Sequence, residues 1–314
     1  MRTLTSKIRR KIHSRVFIDY GQDYTDSMFL AGSGRSGTTW ISDIINYRNQ
    51  YRYIFEPFHP RKAGIFEVRH EREYLRPENR ESGLVEPIEA LLSGRIRSDW
   101  IDKFNRKFLG GKRLIKAIRA NLLLKWIHTN CPGVPIVLLL RHPCAVAHSQ
   151  LKLASWAWNA DPEQFLAQEE LMEDFLEPFR QIMENVQTDF EKHILLVCIE
   201  NYLPLKQFKR DEIHLAFYEN FCVEPEREID RLFSFLGESY DERVFDQLRT
   251  PSPVSRKGSA VVSGGSLVDS WRKHVTEEQV RDALKILSAF GLDMIYAQDS
   301  MPNVDNAYGM MMTS

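Results

Sequence analysis

The residues best suited to hold an anion form one glycine-rich segment, Gly32-Ser33-Gly34-Arg35-Ser36-Gly37-Thr38-Thr39-Trp40. It follows the apolar run Ser27–Ala31 and opens a stretch, residues 38–48, whose apolar residues recur at helical spacing. Glycines let the backbone turn tightly and approach a ligand closely. The N–H groups and the dipole at the start of a helix attract anions, and an arginine and two threonine hydroxyls add further donors. The segment therefore predicts an anion-binding loop between a strand and a helix.

The glycine spacing of this loop matches the beginning of a Walker A motif, with a difference at the next position. Gly32 and Gly37 stand at the two glycine positions, but Thr38 replaces the lysine that would contact the β- and γ-phosphates of a nucleotide. The missing lysine argues against a nucleotide kinase or NTPase. That class stays open as an alternative, as does a nucleotide-binding protein without catalytic activity.

Two further groups of cations lie beyond the loop. Arg141 directly follows the apolar run Pro135–Leu140, and Ser149 lies eight residues later. Because ligands of open parallel sheets bind at the carboxyl ends of the strands, Arg141 is expected at the ligand edge. The third group, Arg256-Lys257-Gly258, lies in a loop rich in Ser, Gly and Pro ahead of Asp269–His274, where adjacent cations can close over an anion.

The elements that must position these residues alternate between strand-like runs and helical patterns. The strand-like runs are Ser27–Ala31, Arg52–Phe55, Arg113–Ala117, Pro135–Leu140 and Ile213–Tyr218. This alternation indicates βαβ units, so we expect an α/β fold of the P-loop NTPase type, a single domain with a central parallel sheet flanked by helices. Residues 151–210 have helical patterns and predict an insertion or lid. The expected boundaries are a basic arm over 1–26, the domain over 27–295 and a tail over 296–314.

Together these motifs resemble the sulfotransferases that use 3′-phosphoadenosine 5′-phosphosulfate (PAPS) as donor. The phosphosulfate loop of that family reads roughly (K/R)-S-G-T-(T/S), often followed by Trp, and residues 35–40 are similar. The resemblance implies that Arg35 lies near the bridging oxygen of the donor and that the loop N–H groups, Thr38 and Thr39 hold its 5′-phosphate. It also implies that Trp40 lies against the adenine.

The second and third groups occur in the same order as in that family. The resemblance implies that Arg141 and Ser149 hold the 3′-phosphate of the donor, together with Arg256, Lys257 and Gly258. The segment Tyr218-Glu219-Asn220-Phe221 resembles a further family segment and implies that Tyr218 contacts the adenine. A plain buried aromatic is the alternative for that residue.

The catalytic base is the point at which this chain departs from the aryl and steroid branch of the family. That branch has a histidine in a K-x-H segment, whereas this chain has Lys116-Ala117-Ile118. Carbohydrate-type members have a Glu-Pro segment after the second strand, and Phe55-Glu56-Pro57-Phe58-His59 is similar. The resemblance implies Glu56 as base, with His59 as second candidate because imidazole titrates near neutrality. Arg35 and Lys116 are suited to stabilise the leaving oxygen.

Composition limits the remaining possibilities. The net charge is −1, which argues against a nucleic-acid-binding protein, although residues 1–15 hold six Lys or Arg and no acid. That arm predicts a solvated terminus or a peripheral contact with a membrane surface. Four widely spaced cysteines, no secretory signal and no membrane-spanning run favour a cytoplasmic protein. No cluster has metal-ligand spacing, so we expect no metal.

The acceptor of the implied reaction is a hydroxyl group on a carbohydrate or another metabolite. Aromatic side chains can stack on sugars or on apolar rings, so Trp156 and Trp158 are the acceptor-side candidates in the helical region. Phe165 and its neighbours at helical spacing fit a core equally well. The sequence leaves the oligomeric state open.

Overall fold

The fold is centred on a five-stranded parallel sheet. The computed structural model describes residues 16–66, 70–153, 160–249 and 268–313. The strands of the sheet are β2 (Ser27–Gly32), β3 (Tyr51–Phe55), β5 (Lys112–Ala117), β6 (Ile136–Leu140) and β7 (His214–Phe217). Their order across the sheet is β3-β5-β2-β6-β7. Two short strands, β1 (Ile18–Asp19) and β4 (Leu109–Gly110), form a separate parallel pair. The predicted central parallel sheet is therefore confirmed.

Twelve α-helices connect and cover the strands within the described residues. They are α1 (Thr38–Ile45), α2 (Ser82–Leu92), α3 (Leu124–Asn130), α4 (Pro143–Leu151), α5 (Glu163–Leu166), α6 (Glu169–Leu171), α7 (Arg180–Asn185), α8 (Asp189–Gln207), α9 (Tyr218–Val223), α10 (Pro225–Leu236), α11 (Glu277–Ala289) and α12 (Val304–Met310). Short 3₁₀ and π segments join several of them. None of the helices in the described part of the chain has the length and apolar character needed to cross a bilayer.

Both faces of the sheet are buried, which explains why its strands are continuous apolar runs rather than alternating ones. On one face, Leu30 and Leu139 pack with Ile41 of α1 and Leu232 of α10. On the other face, the sheet packs against α2, α3, α4 and α8 in a larger cluster. The carboxyl ends of all five strands therefore open at one edge between two helical layers.

In the helical region that the sequence predicted over 151–210, the described residues from 160 onward are mostly helical, with interruptions. A π segment at Met172–Leu176 and a break before the capping box of Thr188 divide it. Its long helix, α8, is buried along most of its length and belongs to the core layer beneath the sheet. Periodicity alone predicts helix here without showing which face is buried.

The sequence analysis did not predict the segment that covers the free edge of β3. The Phe55 N–H donates to the Ile101 carbonyl at 2.8 Å, so residues 95–105 lie along this edge strand. At the amino end of the same strand, the buried Arg52 guanidinium pairs with Asp102, with Nε and Oδ1 2.9 Å apart. This arrangement protects the sheet edge and positions Trp100 and Lys103 close to the carboxyl end of β3.

Candidate functional site

The glycine-rich loop lies between β2 and α1, as the sequence predicted. Gly37 precedes the helix in a left-handed conformation with φ of 108°. A Cβ at this position would lie 2.6 Å from Cδ2 of Tyr218, closer than side-chain carbons approach. Glycine is therefore required here for both the backbone conformation and the close packing. The first N–H groups of α1 lack partners within the helix and point toward the loop.

Arg35 connects the loop to Arg141 and Ser149, the second group of residues predicted from the sequence. Its backbone has φ of 76°, which is uncommon for a residue with a side chain. Its Nε donates to the Ser149 hydroxyl at 3.1 Å, and its carbonyl accepts from the Arg141 guanidinium at 3.2 Å. Three residues from distant parts of the sequence, Arg35, Arg141 and Ser149, thus meet at one end of the sheet.

Several buried polar atoms around the loop lack hydrogen-bond partners among the described residues. They are the Ser33 hydroxyl, the Ser36 hydroxyl and Nε of Arg141. Buried polar groups in folded proteins are nearly always paired, because an unpaired one costs about 1–3 kcal/mol. Two hydroxyls and a guanidinium N–H at a helix N-terminus are donors suited to an anion. The donor set therefore fits a phosphorylated ligand.

The aromatic residues beside the loop are packed together. The Arg141 guanidinium lies 3.9 Å from the centroid of the Tyr218 ring, and Tyr218 lies edge-on to Trp40 at 5.4 Å. Trp40 is 8% exposed and donates through Nε1 to the Gln247 carbonyl at 3.2 Å. Burial raises the pKa of Tyr218 to about 12, so its hydroxyl stays protonated. Any contact of these rings with a ligand is confined to their exposed edges.

Two buried residues that were not predicted from the sequence, Gln150 and Glu219, support the loop and the segment that follows Arg141. Gln150 donates to the Gly34 carbonyl at 2.7 Å and accepts from Nδ1 of His193 at 2.7 Å. Glu219 accepts from the His142 N–H at 2.9 Å and from a second donor, the Tyr296 hydroxyl, at 3.2 Å. Burial raises the pKa of Glu219 to about 7. Gln150 lies directly after Ser149, and Glu219 directly after Tyr218, so both are sequence neighbours of predicted residues.

The start of the C-terminal region, residues 269–274, packs beside Arg141 and Ser149. Trp271 stacks on the His142 ring at 4.5 Å, and His274 stacks on His148 at 4.8 Å. Residues 269–274 therefore lie next to the helix that carries Ser149. The predicted donor residues Arg256, Lys257 and Gly258 lie outside the described residues.

A second cluster is centred on Glu56 at the carboxyl end of β3. Glu56 is 2% exposed and has φ of 47°, so a buried acid is held in a conformation that residues with side chains seldom adopt. Its carboxylate lies 2.5 Å from the Lys116 ammonium and 3.6 Å from the Arg119 guanidinium. It also accepts from the Ile118 N–H at 3.2 Å. Ile118, which replaces the histidine of the K-x-H segment, thus contributes through its backbone.

His59 lies at the end of the same turn. Its ring is edge-on to Trp100 at 5.2 Å, and Trp100 donates through Nε1 to the Glu56 carbonyl at 3.1 Å. Nδ1 of His59 has no hydrogen-bond partner among the described residues. Partial burial, followed by the charges of Arg119 and Lys62, lowers the pKa of His59. The imidazole is therefore mostly neutral near pH 7 and can accept a proton.

The loop and the Glu56 cluster lie at the same edge of the sheet. Strand β5 lies between β2 and β3, and Lys116 is in register with Leu30 on one side and Phe55 on the other. Because neighbouring strands are about 4.8 Å apart, the ends of β2 and β3 are separated by about 10 Å. Leu30 and Phe55 both pack on the face that α1 covers, so Lys116 points toward the helix that follows the loop. The anion loop and a buried carboxylate thus lie at the same edge of the sheet, with a lysine between them.

The remaining predictions concern the acceptor side and metals. Trp156 and Trp158 lie outside the described residues. Phe165 is fully buried in the core. Among the residues that the structure describes, no group of three His, Cys, Asp or Glu side chains could hold a metal ion.

The comparison with known protein families agrees with these motifs. The profile of the sulfotransferase family matches residues 27–242 of this chain. That span runs from the first residue of β2 past the end of α10 and includes the loop, Glu56, Lys116, Arg141 and Tyr218. The chain therefore belongs to the sulfotransferase family, and its activity is that of a sulfotransferase. The comparison with curated protein sequences gives no match.

Several solved sulfotransferase structures have a similar chain trace, at low sequence identity. A sulfotransferase domain from the olefin synthase of Synechococcus PCC 7002 is 16% identical with a TM-score of 0.45, and the match covers 87% of this chain and 96% of that one. A mouse sulfotransferase crystallised with 3′-phosphoadenosine 5′-phosphate (PAP) is 14% identical with a TM-score of 0.43, covering 98% and 93%. A sulfotransferase domain from the curacin biosynthetic pathway is 12% identical with a TM-score of 0.43, covering 83% and 95%.

Proposed function

We propose that this sulfotransferase transfers the sulfuryl group of PAPS to a hydroxyl group of a small-molecule or carbohydrate acceptor. The observation that carries the proposal is a set of buried donors without partners among the described residues: the Ser33 and Ser36 hydroxyls in the loop before α1, and Nε of Arg141, whose guanidinium contacts that loop at the Arg35 carbonyl. The loop has Thr38 where a nucleotide kinase has lysine. An anion site of this kind, in a member of the sulfotransferase family, favours a sulfated nucleotide over ATP.

The donor is placed along the loop and the strand ends beside it. The N–H groups of α1, with Thr38 and Thr39, bind the 5′-phosphate. Arg141 and Ser149 are linked through Arg35 and bind the 3′-phosphate, and Arg256, Lys257 and Gly258 complete that site. The exposed edges of two aromatic residues, Trp40 and Tyr218, contact the adenine.

In the reaction, the acceptor oxygen attacks the sulfur in line with the bridging oxygen of PAPS. The new bond joins the acceptor oxygen to sulfur, and the bond between sulfur and the bridging oxygen breaks. Glu56 takes the hydroxyl proton, with His59 as the alternative base. Arg35 and Lys116 stabilise the negative charge that develops on the phosphate oxygen. The products are a sulfate ester and PAP.

The ion pair of Glu56 with Lys116 gives this mechanism an order of events. The Glu56 carboxylate is engaged by the Lys116 ammonium at 2.5 Å, so it must be released before it can accept a hydrogen bond from the acceptor hydroxyl. Lys116 lies between the ends of β2 and β3, within reach of both sites. Donor binding draws the ammonium toward the leaving oxygen and frees the Glu56 carboxylate. PAPS therefore binds before the base becomes active.

The finer predictions on partners and location rest on the sequence. A carbohydrate acceptor follows from the Glu-Pro segment that resembles carbohydrate-type members. A peripheral membrane contact would involve residues 1–15, which lie outside the described residues. A cytoplasmic location follows from the cysteine usage, and cell fractionation measures it.

The first experiment measures thermal stabilisation by PAP, by ATP with Mg²⁺ and by AMP. A ligand that binds only the folded protein stabilises it by about 2.7 kcal/mol at a hundredfold excess over Kd. We expect a large shift with PAP and a small one with AMP, which lacks the 3′-phosphate. A shift with ATP and Mg²⁺ alone would contradict the proposal and support the kinase alternative.

A further inference from the structure

Next to the proposed base lies a group of lysines that the transfer reaction does not use. Lys103 lies 3.7 Å from the ring centroid of Trp100, 4.1 Å from that of Phe55 and 4.8 Å from that of Phe104. Lys62 lies 4.6 Å from the Trp100 centroid, on the turn that follows Glu56. Both ammonium groups are therefore held on aromatic faces beside Glu56, the proposed base.

The position of Lys103 relative to the reacting residues follows from a shared neighbour. Lys116 lies 4.9 Å from the Phe55 centroid, and Lys103 lies 4.1 Å from the same centroid. The two ammonium groups are thus separated by no more than the sum of these distances. Lys62 and Lys103 both lie over the Trp100 ring, and Trp100 donates to the Glu56 carbonyl. The lysines and the base belong to one cluster.

The charges of this cluster are unbalanced. Lys116 and Arg119 pair with Glu56, and Arg119 also pairs with Glu71. Within residues 16–66, 70–153, 160–249 and 268–313, Lys62 and Lys103 contact aromatic rings and form no ion pair with a carboxylate. Lys103 is partly buried and Lys62 is exposed. A partly buried cation without a carboxylate partner, here Lys103, favours an anion from outside the protein.

The electrostatic cost of this arrangement is visible at Lys103. Partial burial, with the charges of Lys62 and Lys116, lowers the pKa of Lys103 to about 8. Natural sequences seldom place a charged group in such an unfavourable position where a neutral residue would pack as well. Glutamine or methionine could pack on the same rings without a charge to bury. An arriving anion would compensate the charge.

We infer that Lys62 and Lys103 bind an anionic group on the acceptor, so that the preferred substrate is a hydroxylated molecule carrying a carboxylate or a sulfate close to the hydroxyl that is sulfated. This inference rests on the proposed function, since it names the substrate class of the same site. Uronic acids and hydroxy fatty acids share this chemistry. The aromatic faces of Trp100 and Phe55 can receive the apolar side of either one.

The test compares matched acceptors that differ only in charge. The pairs are methyl β-glucuronide with its carboxamide, and 3-hydroxyoctanoate with 3-hydroxyoctanamide. Calorimetry with the full chain saturated with PAP gives the Kd of each acceptor without any turnover. Assays with PAPS give kcat/KM for the same compounds. The two pairs distinguish a saccharide from an acyl chain as the source of the anion.

We expect the wild type to prefer at least one acid over its amide by about tenfold, the effect of one partly solvated charged hydrogen bond. Lys103→Gln and Lys62→Gln should each remove most of this preference, while Lys103→Arg should retain it. The matched control is Lys206→Gln, because Lys206 also lies over an aromatic ring, 5.8 Å from the Tyr202 centroid, but on helix α8 away from the site. It should keep the wild-type preference.

Two results would overturn the inference. One is a wild type that binds neither acid more tightly than its amide, and the other is a preference that survives in both lysine-to-glutamine variants. The proposed function fails separately, through absence of PAP binding or of sulfuryl transfer to every acceptor. A wild type that binds PAP and sulfates the neutral acceptors as well as the acids would refute only the inference about charge.

Discussion

The replacement Glu56→Gln tests the proposed base most directly, because it keeps the shape of the side chain and removes only its charge. The carboxylate is 2% exposed and interacts with Lys116, Arg119 and the Ile118 N–H. The amide oxygen of glutamine can still accept from Ile118. What disappears is the ability to take a proton and the charge that faces two cations.

The expected magnitudes follow from these contacts. Loss of a general base lowers the rate by about 10²–10⁴, which corresponds to roughly 3–5 kcal/mol of transition-state stabilisation. Breaking a buried ion pair by removing one partner costs about 3–5 kcal/mol of folding free energy. The second effect is smaller here, since the retained hydrogen bond offsets part of it. Because a loss of folding free energy also lowers the amount of active protein, activity must be measured per folded molecule.

A matched control separates the two effects. Asp19→Asn makes the same change from carboxylate to amide in a buried ion pair with Arg113, at the amino end of strand β5. It should destabilise the fold at least as much as Glu56→Gln and leave turnover per folded molecule intact. The midpoint of urea unfolding measures the stability of each variant.

The assay follows transfer from labelled PAPS to the best acceptor of the charge comparison, with PAP affinity measured by calorimetry. Glu56→Gln should bind PAP within about twofold of the wild type and turn over about 10²–10⁴-fold more slowly. Wild-type turnover in Glu56→Gln would remove this residue from the mechanism and leave His59 as the base. An equal loss of turnover in Asp19→Asn would show that lowered stability, not lost chemistry, explains the effect.

Three further predictions concern the donor side. Arg141→Ala should weaken PAP binding by roughly 10–100-fold in calorimetry, which is the range for a charged hydrogen bond, and should leave AMP binding almost unchanged. Equal losses of PAP and AMP affinity would exclude a role of Arg141 in binding the 3′-phosphate. Gly37→Ala should lower the thermal midpoint and the PAP affinity more than Gly64→Ala does. Both positions have positive φ, but only a Cβ at position 37 would lie 2.6 Å from Tyr218. Equal effects of the two replacements would show that this contact is unimportant. Since burial raises the pKa of Glu219 to about 7 from 4.5, the folded protein retains a proton that the unfolded chain loses between these values, and the free energy of unfolding falls as pH rises through that window. Urea unfolding of Glu219→Gln should show a flatter pH dependence there, whereas an unchanged slope would assign it to another group.

The sequence alone determined the features of this protein that depend on neighbours along the chain. A strand, a glycine-rich turn and a helix start can be recognised locally, because turn geometry and helix capping involve residues a few positions apart. The anion loop, the order of the strands along the chain and the placement of Arg141 at a strand end were predicted for this reason. The Thr276 cap and the Gly237 end of α10 follow the same local rules.

The tertiary structure alone decided which distant residues meet and what charge they carry together. The ion pair of Glu56 with Lys116 exists because β3 and β5 are neighbours in register, and strand order is not encoded in local patterns. Trp100 and Lys103 lie beside Glu56 because their segment covers the free edge of β3, and that segment has no regular periodicity. Contacts between parts of the chain that are far apart depend on packing of the whole sheet, so single-sequence patterns do not reveal them.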